Sequence, residues 1–397
     1  MWCKLDDYVL SVTDGDHQAP PKSSNGVPFL VISNIATWKI DFTNTRYVPK
    51  EYYENINEDR KAKRGDILFS VTGSYGIVVN VKTDQEFCFQ RHIGLIKPVI
   101  GKEYLSYILM SGYIKGLCDN LATGTAQKTV GLDTLRSFFI PIAPIQEQKR
   151  IVAKIKQLLL VTTALECGKN ELQTAIKQVK SKILDLAIHG KLVPQDPTDE
   201  PAAELLKRIN PKAEITCDNG HYQKLPEGWC ETQLGDIFNH NTGKALNSSN
   251  TEGTLKDYLT TSNVYWNSFD FSVIKKMLFK ESELNKCQIT KGDLLVCEGG
   301  DIGRAAIWDY DYDICIQNHL HRLRPKVNGI CVSFYYYVLY YLKINNMIGG
   351  KGIGLLGLSS NALHKLHVPF PPLNEQHRIV AKIEEIFAQL DAIEASL

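Results

Sequence analysis

The sequence lacks the features that mark a membrane, secreted or zinc-finger protein. It has no apolar run approaching about 18 residues, and MWCKLDDYVL at its start is not a charged-then-apolar leader. Its ten cysteines include no C-x-x-C pair and show no spacing typical of a zinc site or a disulfide framework. We therefore expect a reducing cytoplasm as its location and no bound metal.

Motifs for catalysis are also missing. There is no G-x-x-x-x-G-K-[S/T] loop, and no nucleophile–base pair stands out. Gly352, Gly354 and Gly357 spell G-x-G-x-x-G, but a Tyr-rich stretch typical of a helix precedes them where a dinucleotide site needs a strand. The sequence predicts no catalytic residue and no cofactor in this chain.

Excess positive charge is missing as well, since the net charge is +1 over 397 residues. A protein that holds DNA alone through its phosphates is usually more basic. Either the chain does not bind DNA, or its basic residues lie on one face and partners supply further contacts.

What the sequence does contain is a long internal repeat. PIQEQKRIVAKI at 144–155 returns as PLNEQHRIVAKI at 372–383, 228 residues later. KRGDILFS at 63–70 returns as TKGDLLVC at 290–297, after which Gly73 and Gly76 match Gly300 and Gly303. A repeat of this length indicates two equivalent structural units. His321 lies two residues beyond the repeated His319 but does not itself recur, which favours a hydrogen-bonded or DNA-facing histidine over a metal ligand.

Each copy combines a mixed globule with a helical rod. Short β-like runs bounded by Gly, Asn and Asp, together with one apparent helix, predict an α+β domain, and the rods are expected to pair as an antiparallel coiled-coil spacer. The predicted boundaries are 1–143 for the first domain, 144–190 for the central helix, 191–225 for a linker with a short helix, 226–371 for the second domain, and 372–397 for a shorter C-terminal helix.

The central helix carries a heptad seam that is longer than its counterpart. Half of this seam should therefore lack a partner within the chain. The positions predicted to be exposed, or covered by another chain, are Leu172, Ile176, Val179, Ile183 and Leu186.

This layout resembles the specificity subunit of type I restriction–modification enzymes, which serve in host defence. The resemblance is carried by PIQEQKRIVAKIKQLL, GKLVPQDPTDEPAAELLKRI, KLPEGW and PLNEQHRIVAKIEEIF and covers essentially the whole chain. It implies two target recognition domains, each of which reads one half of an asymmetric bipartite sequence in double-stranded DNA. It also implies helices that dock two modification (methyltransferase) subunits, with restriction (motor-nuclease) subunits able to join. S-adenosylmethionine, ATP and Mg would then belong to the partners, and this chain would catalyse nothing.

An alternative of another class is a coiled-coil assembly scaffold without direct base readout. A single-chain restriction–modification enzyme would need methyltransferase and nuclease motifs, which this sequence lacks.

Candidate DNA-binding residues are polar side chains on loops where the two copies differ within a matched frame. In the first copy these are His17, Gln18, Lys22, Thr72, Ser74, Tyr75, Arg91 and Lys128. In the second copy they are Asn241, Lys244, Asn247, Glu298, Asp301, Arg304, Asn318 and Lys351. Gln148, Arg150, Gln376 and Arg378 recur at the rod starts, where they either dock the modification subunits or clamp each rod to its globule.

Overall fold

The chain forms two compact units, Met1–Glu166 and Cys167–Leu397. A computed structural model describes residues 1–15, 17, 20–124, 127–213, 215–216, 221–222, 224–246, 251–348 and 358–397. The division falls inside a long helix, so each unit contains one globule and the adjoining part of the central rod. None of the helices described is long and apolar enough to cross a membrane.

Unit 1 is built from short strands and helices. Its strands are β1 (Trp2–Lys4), β2 (Val9–Asp14), β3 (Val27–Leu30), β4 (Arg46–Val48), β5 (Ile67–Ser70), β6 (Val78–Asn80), β7 (Cys88–Phe89), β8 (Ile93–Pro98) and β9 (Phe139–Pro141). Its helices are α1 (Lys50–Glu54), α2 (Lys102–Leu109), α3 (Gly112–Leu121), α4 (Leu132–Arg136) and the start of α5 (Ile145–Ile188), with 3₁₀ turns at Ile32–Asn34 and Glu58–Arg60.

Unit 2 repeats this plan after a linker. Its strands are β10 (Cys230–Gln233), β11 (Phe238–Thr242), β12 (Thr254–Leu259), β13 (Val264–Tyr265), β14 (Ser268–Phe269), β15 (Lys275–Phe279), β16 (Gln288–Ile289), β17 (Leu294–Cys297), β18 (Ala305–Ile307), β19 (Ile314–Ile316), β20 (Leu320–Pro325) and β21 (His367–Phe370). Its helices are α6 (Ala202–Ile209), α7 (Leu234–Ile237), α8 (Glu281–Cys287), α9 (Val332–Ile344), α10 (Ser360–His364) and α11 (Leu373–Ala395), with a 3₁₀ turn at Thr261–Asn263.

The main sheets of the two units have the same topology. The main sheet is antiparallel, with order β2-β8-β5-β6 in unit 1 and β11-β20-β17-β18 in unit 2. Each second sheet contains one parallel pair, β3 with β7 and β12 with β19. The repeat and the α+β class predicted from the sequence are confirmed. The apolar runs ILFS and LLVC form the inner strands β5 and β17, whose residues are all buried, as expected of a strand covered on both faces.

A repeated asparagine explains part of the shared sequence. The Asn34 side chain accepts from Val31 N–H (2.9 Å) and donates to the Asp41 carbonyl (3.1 Å). Asn263 repeats both bonds with Thr260 N–H (2.9 Å) and the Asp270 carbonyl (2.9 Å). Both amides are buried, so losing these bonds would leave backbone groups unsatisfied.

Helices cover one face of each main sheet. In unit 1, Phe69 and Ile96 of the sheet pack with Leu105 of α2 and Ile114 of α3. In unit 2, the predicted Tyr-rich helix is α9, whose Phe334, Tyr335 and Leu339 are buried in the core. Full burial of one such side chain contributes roughly 1.5–3 kcal/mol, so this core supports the loops at the sheet edge.

The rod pairs within unit 2 in an antiparallel manner. Lys180 of α5 forms an ion pair with Asp391 of α11, and Lys169 Nζ donates to the Leu397 carbonyl (2.8 Å). Because α11 begins on the globule at which α5 ends, it runs back along the last turns of α5.

The prediction that the C-terminal half of the α5 seam is exposed or covered by another chain is therefore wrong in part. Ile176 and Ile183 are buried, at 3% and 8% exposure, and Leu186 is half-buried. Leu172 and Val179 are 40% and 44% exposed, as predicted. The most exposed apolar stretch lies earlier in α5, at 158–165.

Candidate nucleic-acid interface

Two glycine-containing turns follow the inner strands β5 and β17, and they have the same backbone. We call residues 71–76 and 298–303 the paired turns. Gly73 and Gly300 have φ of 69° and 71°, and Gly76 and Gly303 have φ of 85° and 83°. Each turn closes with an equivalent 2.9 Å bond, from Gly76 N–H to the Ser70 carbonyl and from Gly303 N–H to the Cys297 carbonyl. Left-handed φ strongly favours glycine, so the repeated glycines impose one shape on both turns.

The side chains on the paired turns differ. Unit 1 presents exposed Ser74 and half-buried Tyr75, whereas Asp301 takes the place of Ser74 in unit 2. The Tyr75 hydroxyl donates to Asp119 Oδ1 (2.9 Å), and Lys115 Nζ lies 4.4 Å from the centre of the Tyr75 ring.

Arg304 directly follows the paired turn of unit 2. Its guanidinium donates to the Thr261 carbonyl (2.6 Å) and lies 4.7 Å from the centre of the Tyr265 ring. The side chain is half-buried, and its Nε is buried without a hydrogen-bond partner. A cation therefore lies against an aromatic ring at each paired turn. In unit 1 the pair is Lys115 with Tyr75, and in unit 2 it is Arg304 with Tyr265.

A second loop lies against each paired turn and carries Arg91 in unit 1 and Asn318 in unit 2. Val71 N–H donates to the His92 carbonyl (2.9 Å), and Glu298 N–H donates to the His319 carbonyl (3.0 Å). Arg91 is exposed and Asn318 is half-buried. These two residues occupy the same position in the repeated frame, so their difference changes what each edge presents.

A third loop completes the edge in unit 1. The Lys128 carbonyl accepts from Gly73 N–H (2.9 Å), and Thr129 Oγ1 donates to Thr72 Oγ1 (3.3 Å). The Lys128 side chain is exposed. Its predicted counterpart Lys351 lies outside the described residues.

The loop near the start of each domain reaches the same edge. Gly15 runs so close to β7 that a Cβ there would lie 1.9 Å from the Phe89 carbonyl oxygen, and at Gly243 it would lie 2.1 Å from the Ile316 carbonyl oxygen. His17 bonds Asp14 (2.8 Å) and, like Lys22, is exposed. The structure thus gathers His17, Ser74, Tyr75, Arg91 and Lys128 at one edge of unit 1. Gln18 and Asn247 lie outside the described residues.

Three candidates are less suited to contact a ligand. Lys244 is only 12% exposed, and its ammonium donates to Glu283 (2.5 Å) and to the Leu278 carbonyl (2.9 Å). Thr72 is buried, and the Asn241 side chain accepts from Arg322 (2.6 Å). Their polar groups already have protein partners, so here structural bonding outweighs the loop position. The DNA contacts of the remaining candidates stay predictions.

A repeated lysine was missed. Lys115 of α3 and Lys343 of α9 are 228 residues apart, the spacing of the rod repeat. Lys115 pairs with Asp119 (3.1 Å) beside Tyr75, whereas Lys343 pairs with Asp301 (2.7 Å) and donates to the Ile302 carbonyl (2.8 Å). Both therefore support a paired turn. Aligning YIK at 113–115 with YLK at 341–343 would have found them.

Three titratable groups at the unit 1 edge have shifted pKa values. Hydrogen bonds from Tyr75 and Lys115 lower the pKa of Asp119, and the same bond to Asp119 raises the pKa of Tyr75. Partial burial, with nearby Arg91, lowers the pKa of His92. Near neutral pH, Asp119 thus stays ionised, and Tyr75 and His92 stay neutral.

The glutamines at the rod starts act as clamps. Gln148 is buried, donates to the Ala143 carbonyl (2.9 Å) and bonds the Tyr8 hydroxyl (3.1 Å). Gln376 is buried likewise and donates to the Pro371 carbonyl (2.9 Å). The sequence left two roles open, docking of the modification subunits and clamping of each rod to its globule. The hydrogen bonds of both glutamines fit the clamping role.

The arginines at the rod starts differ from each other. Arg150 is exposed, whereas Arg378 pairs with Asp199 (2.7 Å) of the linker, and this pairing raises the pKa of Arg378. Docking of partner subunits therefore stays a prediction. Of the two arginines, the exposed Arg150 is the better candidate for it.

Two copies of one loop-bearing domain, each followed by a clamped helix, define a paired recognition protein. The model of the type I restriction modification DNA specificity domain matches residues 22–174 and again 226–397. The chain belongs to this family and carries two copies of its domain.

Relatives are similar along most of their length. The type I restriction enzyme EcoBI specificity subunit of Escherichia coli is 24% identical over 404 residues, which cover 99% of this chain and 81% of the relative. The EcoKI specificity subunit of Escherichia coli K12 is 23% identical, with coverage of 93% and 77%.

Solved structures share the fold. The HsdS subunit from Thermoanaerobacter tengcongensis superposes with a TM-score of 0.62 at 18% identity, covering all of this chain and 91% of that one. A structure described in work on complex assembly and conformational transition of the type I R-M system gives 0.69 at 20% identity, covering all of this chain and 92% of that one.

Proposed function

We propose that this chain is the non-catalytic DNA-specificity subunit of a type I restriction–modification system. Each domain reads one half of an asymmetric bipartite sequence, and the helices dock the modification subunits. The observation that carries the proposal is the pair of turns with one backbone and different side chains. Two readers of different half-sites need a common frame and distinct reading groups.

The chemistry of the loop edge supports base and phosphate contacts. Exposed Arg91 and Lys128 flank the Tyr75 turn in unit 1, and Asn318 with Arg304 flanks the Asp301 turn in unit 2. Arginine pairs with guanine, asparagine pairs with adenine, and lysine binds phosphate, so different half-sites are expected. The net charge of +1 fits a subunit whose partners share the phosphate contacts.

The first part of α5 supports docking of protein partners. Leu158, Leu160 and Leu165 are 53%, 72% and 67% exposed, and exposed Arg150 lies nearer the start of the same helix. Clustered exposed apolar side chains mark interaction surfaces. We assign this surface to the two modification subunits, which carry S-adenosylmethionine, while ATP and Mg serve the restriction subunits.

Footprinting of the chain assembled with its modification partner tests the proposal. Two protected stretches separated by unread base pairs are expected. Arg91→Ala should relax sequence preference in one half-site only, and Asn318→Ala in the other, each at a loss of about 1–3 kcal/mol for the preferred base. Lys207→Ala, an exposed change on α6, is the charge control and should leave both halves unchanged.

A coiled-coil assembly scaffold gives a different result. The complex would still assemble, but substitutions at Arg91 and Asn318 would not change DNA binding. One continuous protected stretch, or none, would refute the specificity proposal.

A further inference from the structure

Two histidines and one glutamate converge at the base of unit 2. His221 Nδ1 lies 2.7 Å from Glu231 Oε1, and His367 Nδ1 lies 2.8 Å from the same oxygen. The two imidazole rings are stacked, with centroids 4.1 Å apart and planes at 28°. Among the residues described, this is the group of three such side chains whose ligand atoms could hold one metal ion.

The second coordination shell is also in place. Glu231 is 1% exposed, and its other oxygen, Oε2, accepts from the Tyr222 backbone N–H (3.0 Å). This bond fixes the carboxylate and leaves Oε1 directed at both imidazoles. Metal-binding carboxylates are commonly oriented by such an outer hydrogen bond.

A buried nitrogen without a partner points to a ligand. His367 Nδ1 is buried and makes no hydrogen bond. It lies close enough to Glu231 for one, but the two groups are not aligned as donor and acceptor. Since a buried polar atom without a partner is costly, its orientation calls for a further binding group.

We infer that His221, Glu231 and His367 bind one divalent transition-metal ion, for which Zn²⁺ is the probe. Imidazole nitrogen and carboxylate oxygen are zinc ligands at about 2.0–2.2 Å, and three protein ligands leave a fourth position for water. Tetrahedral bonds of that length place neighbouring ligand atoms about 3.3 Å apart, so the cluster needs to open by roughly half an ångström. His221, whose side chain is 68% exposed, has the freedom to move that far.

The ion would fasten the linker to the second domain. Glu231 lies on β10 and His367 on β21, whereas His221 belongs to the linker. Thr216 of the linker already pairs with Glu231, whose N–H donates to the Thr216 carbonyl (2.8 Å). Unit 1 has no such ligands, because the strand register places Trp2 where unit 2 has Glu231 and Phe139 where it has His367.

Calorimetric titration of the full chain with Zn²⁺, after removal of bound metal by a chelator, tests the inference. One site is expected in the wild-type protein, and His221→Ala and Glu231→Gln should each weaken it at least about tenfold. His377→Ala, which removes an exposed histidine elsewhere, should bind as the wild type does. Co²⁺, whose visible absorption reports its ligands, should give the wild-type spectrum with His377→Ala and lose it with His221→Ala.

Thermal unfolding separates loss of the site from loss of the fold. Without metal, His221→Ala should fold and melt only slightly below the wild-type temperature, because its side chain is largely exposed and loses a single bond, to Glu231. Added Zn²⁺ should raise the melting temperature of wild type and His377→Ala but not of His221→Ala. Absence of Zn²⁺ binding, or equal binding and equal thermal shifts in all variants, would overturn the inference and leave a carboxylate bonded by histidine alone.

Discussion

The repeated rod start contains one glutamate in two environments, and this gives a matched mutational test. Glu375 is 2% exposed and accepts from Trp229 Nε1–H (2.9 Å) and from the Gln195 amide (2.7 Å). Its counterpart Glu147, 228 residues earlier, is exposed. Glu375→Ala should therefore destabilise unit 2, whereas Glu147→Ala should have little effect.

The magnitude follows from the two bonds. A hydrogen bond to a charged group is worth about 1.5–3 kcal/mol, but removing the carboxylate also relieves its own burial cost. The buried Trp229 N–H is left without an acceptor, while the exposed Gln195 can turn to water. We expect a net loss of about 2–4 kcal/mol for Glu375→Ala and less than about 0.5 kcal/mol for Glu147→Ala.

The Gln variant and pH sharpen the test. Burial raises the pKa of Glu375 above its ordinary 4.5, so the folded state favours the protonated form. The pH-dependent part of this group's stabilising contribution is therefore complete below pH 4.5 and is lost as pH rises through the raised folded pKa, whereas the hydrogen bonds from Trp229 and Gln195 remain. Glu375→Gln keeps an acceptor for Trp229 and carries no charge, so near neutral pH it should cost at most about 1 kcal/mol and should remove that pH dependence.

Urea unfolding followed by tryptophan fluorescence is the assay. Trp229 and Trp308 are buried in unit 2 and report its transition. In thermal unfolding, the Ala variant should melt about 5–10 °C lower. Equal destabilisation by Glu147→Ala and Glu375→Ala, or a Gln variant as damaged as the Ala variant, would refute the reasoning.

Three further changes test the loop edge and its support. Gly300→Ala should destabilise unit 2 by about 1 kcal/mol because its φ of +71° disfavours any Cβ, whereas Gly299→Ala, in open space, should be neutral in the same urea assay. Lys128→Ala should weaken DNA binding by the assembled complex for every sequence and lower the slope of log K against log salt by about 1, while Lys207→Ala should leave the slope unchanged. Burial, with nearby His321 and His364, lowers the pKa of His240 to about 4, so stability should fall by up to about 3 kcal/mol as pH drops from 6.5 to 4. His240→Gln should flatten that part of a pH–melting curve.

The repeat made the frame of the fold predictable. Gly73 and Gly300, like Asn34 and Asn263, recur because the backbone at those points needs a left-handed glycine or a side-chain amide bond. Such requirements are local and leave a mark at a fixed spacing in the sequence. The same comparison exposed Arg91 and Asn318 as a variable position in a constant turn.

Contacts between distant residues left no such mark. The Tyr75 hydroxyl bonds Asp119, 44 positions later, and the Lys244 ammonium bonds Glu283, 39 positions later. Residue spacing therefore predicts neither the group of Tyr75 with Lys115 nor the ion pair that makes Lys244 unsuited to contact DNA. The His221, Glu231 and His367 cluster is of the same kind. Its members come from the linker and two strands, and they match no short metal-binding motif.

The rod shows where periodicity stops being informative. Heptad spacing identified the face of α5 that needs a partner, but the buried part depends on where the partner helix begins. Since α11 starts on the globule at which α5 ends, the pairing buries Ile176 and Ile183 and reaches only to Lys169 near Leu397. The seam pattern is the same at Leu165, which is 67% exposed, and at Ile183, which is 8% exposed. The difference between them lies in chain connectivity, so a heptad count predicts that a helix pairs and leaves open which turns of it do.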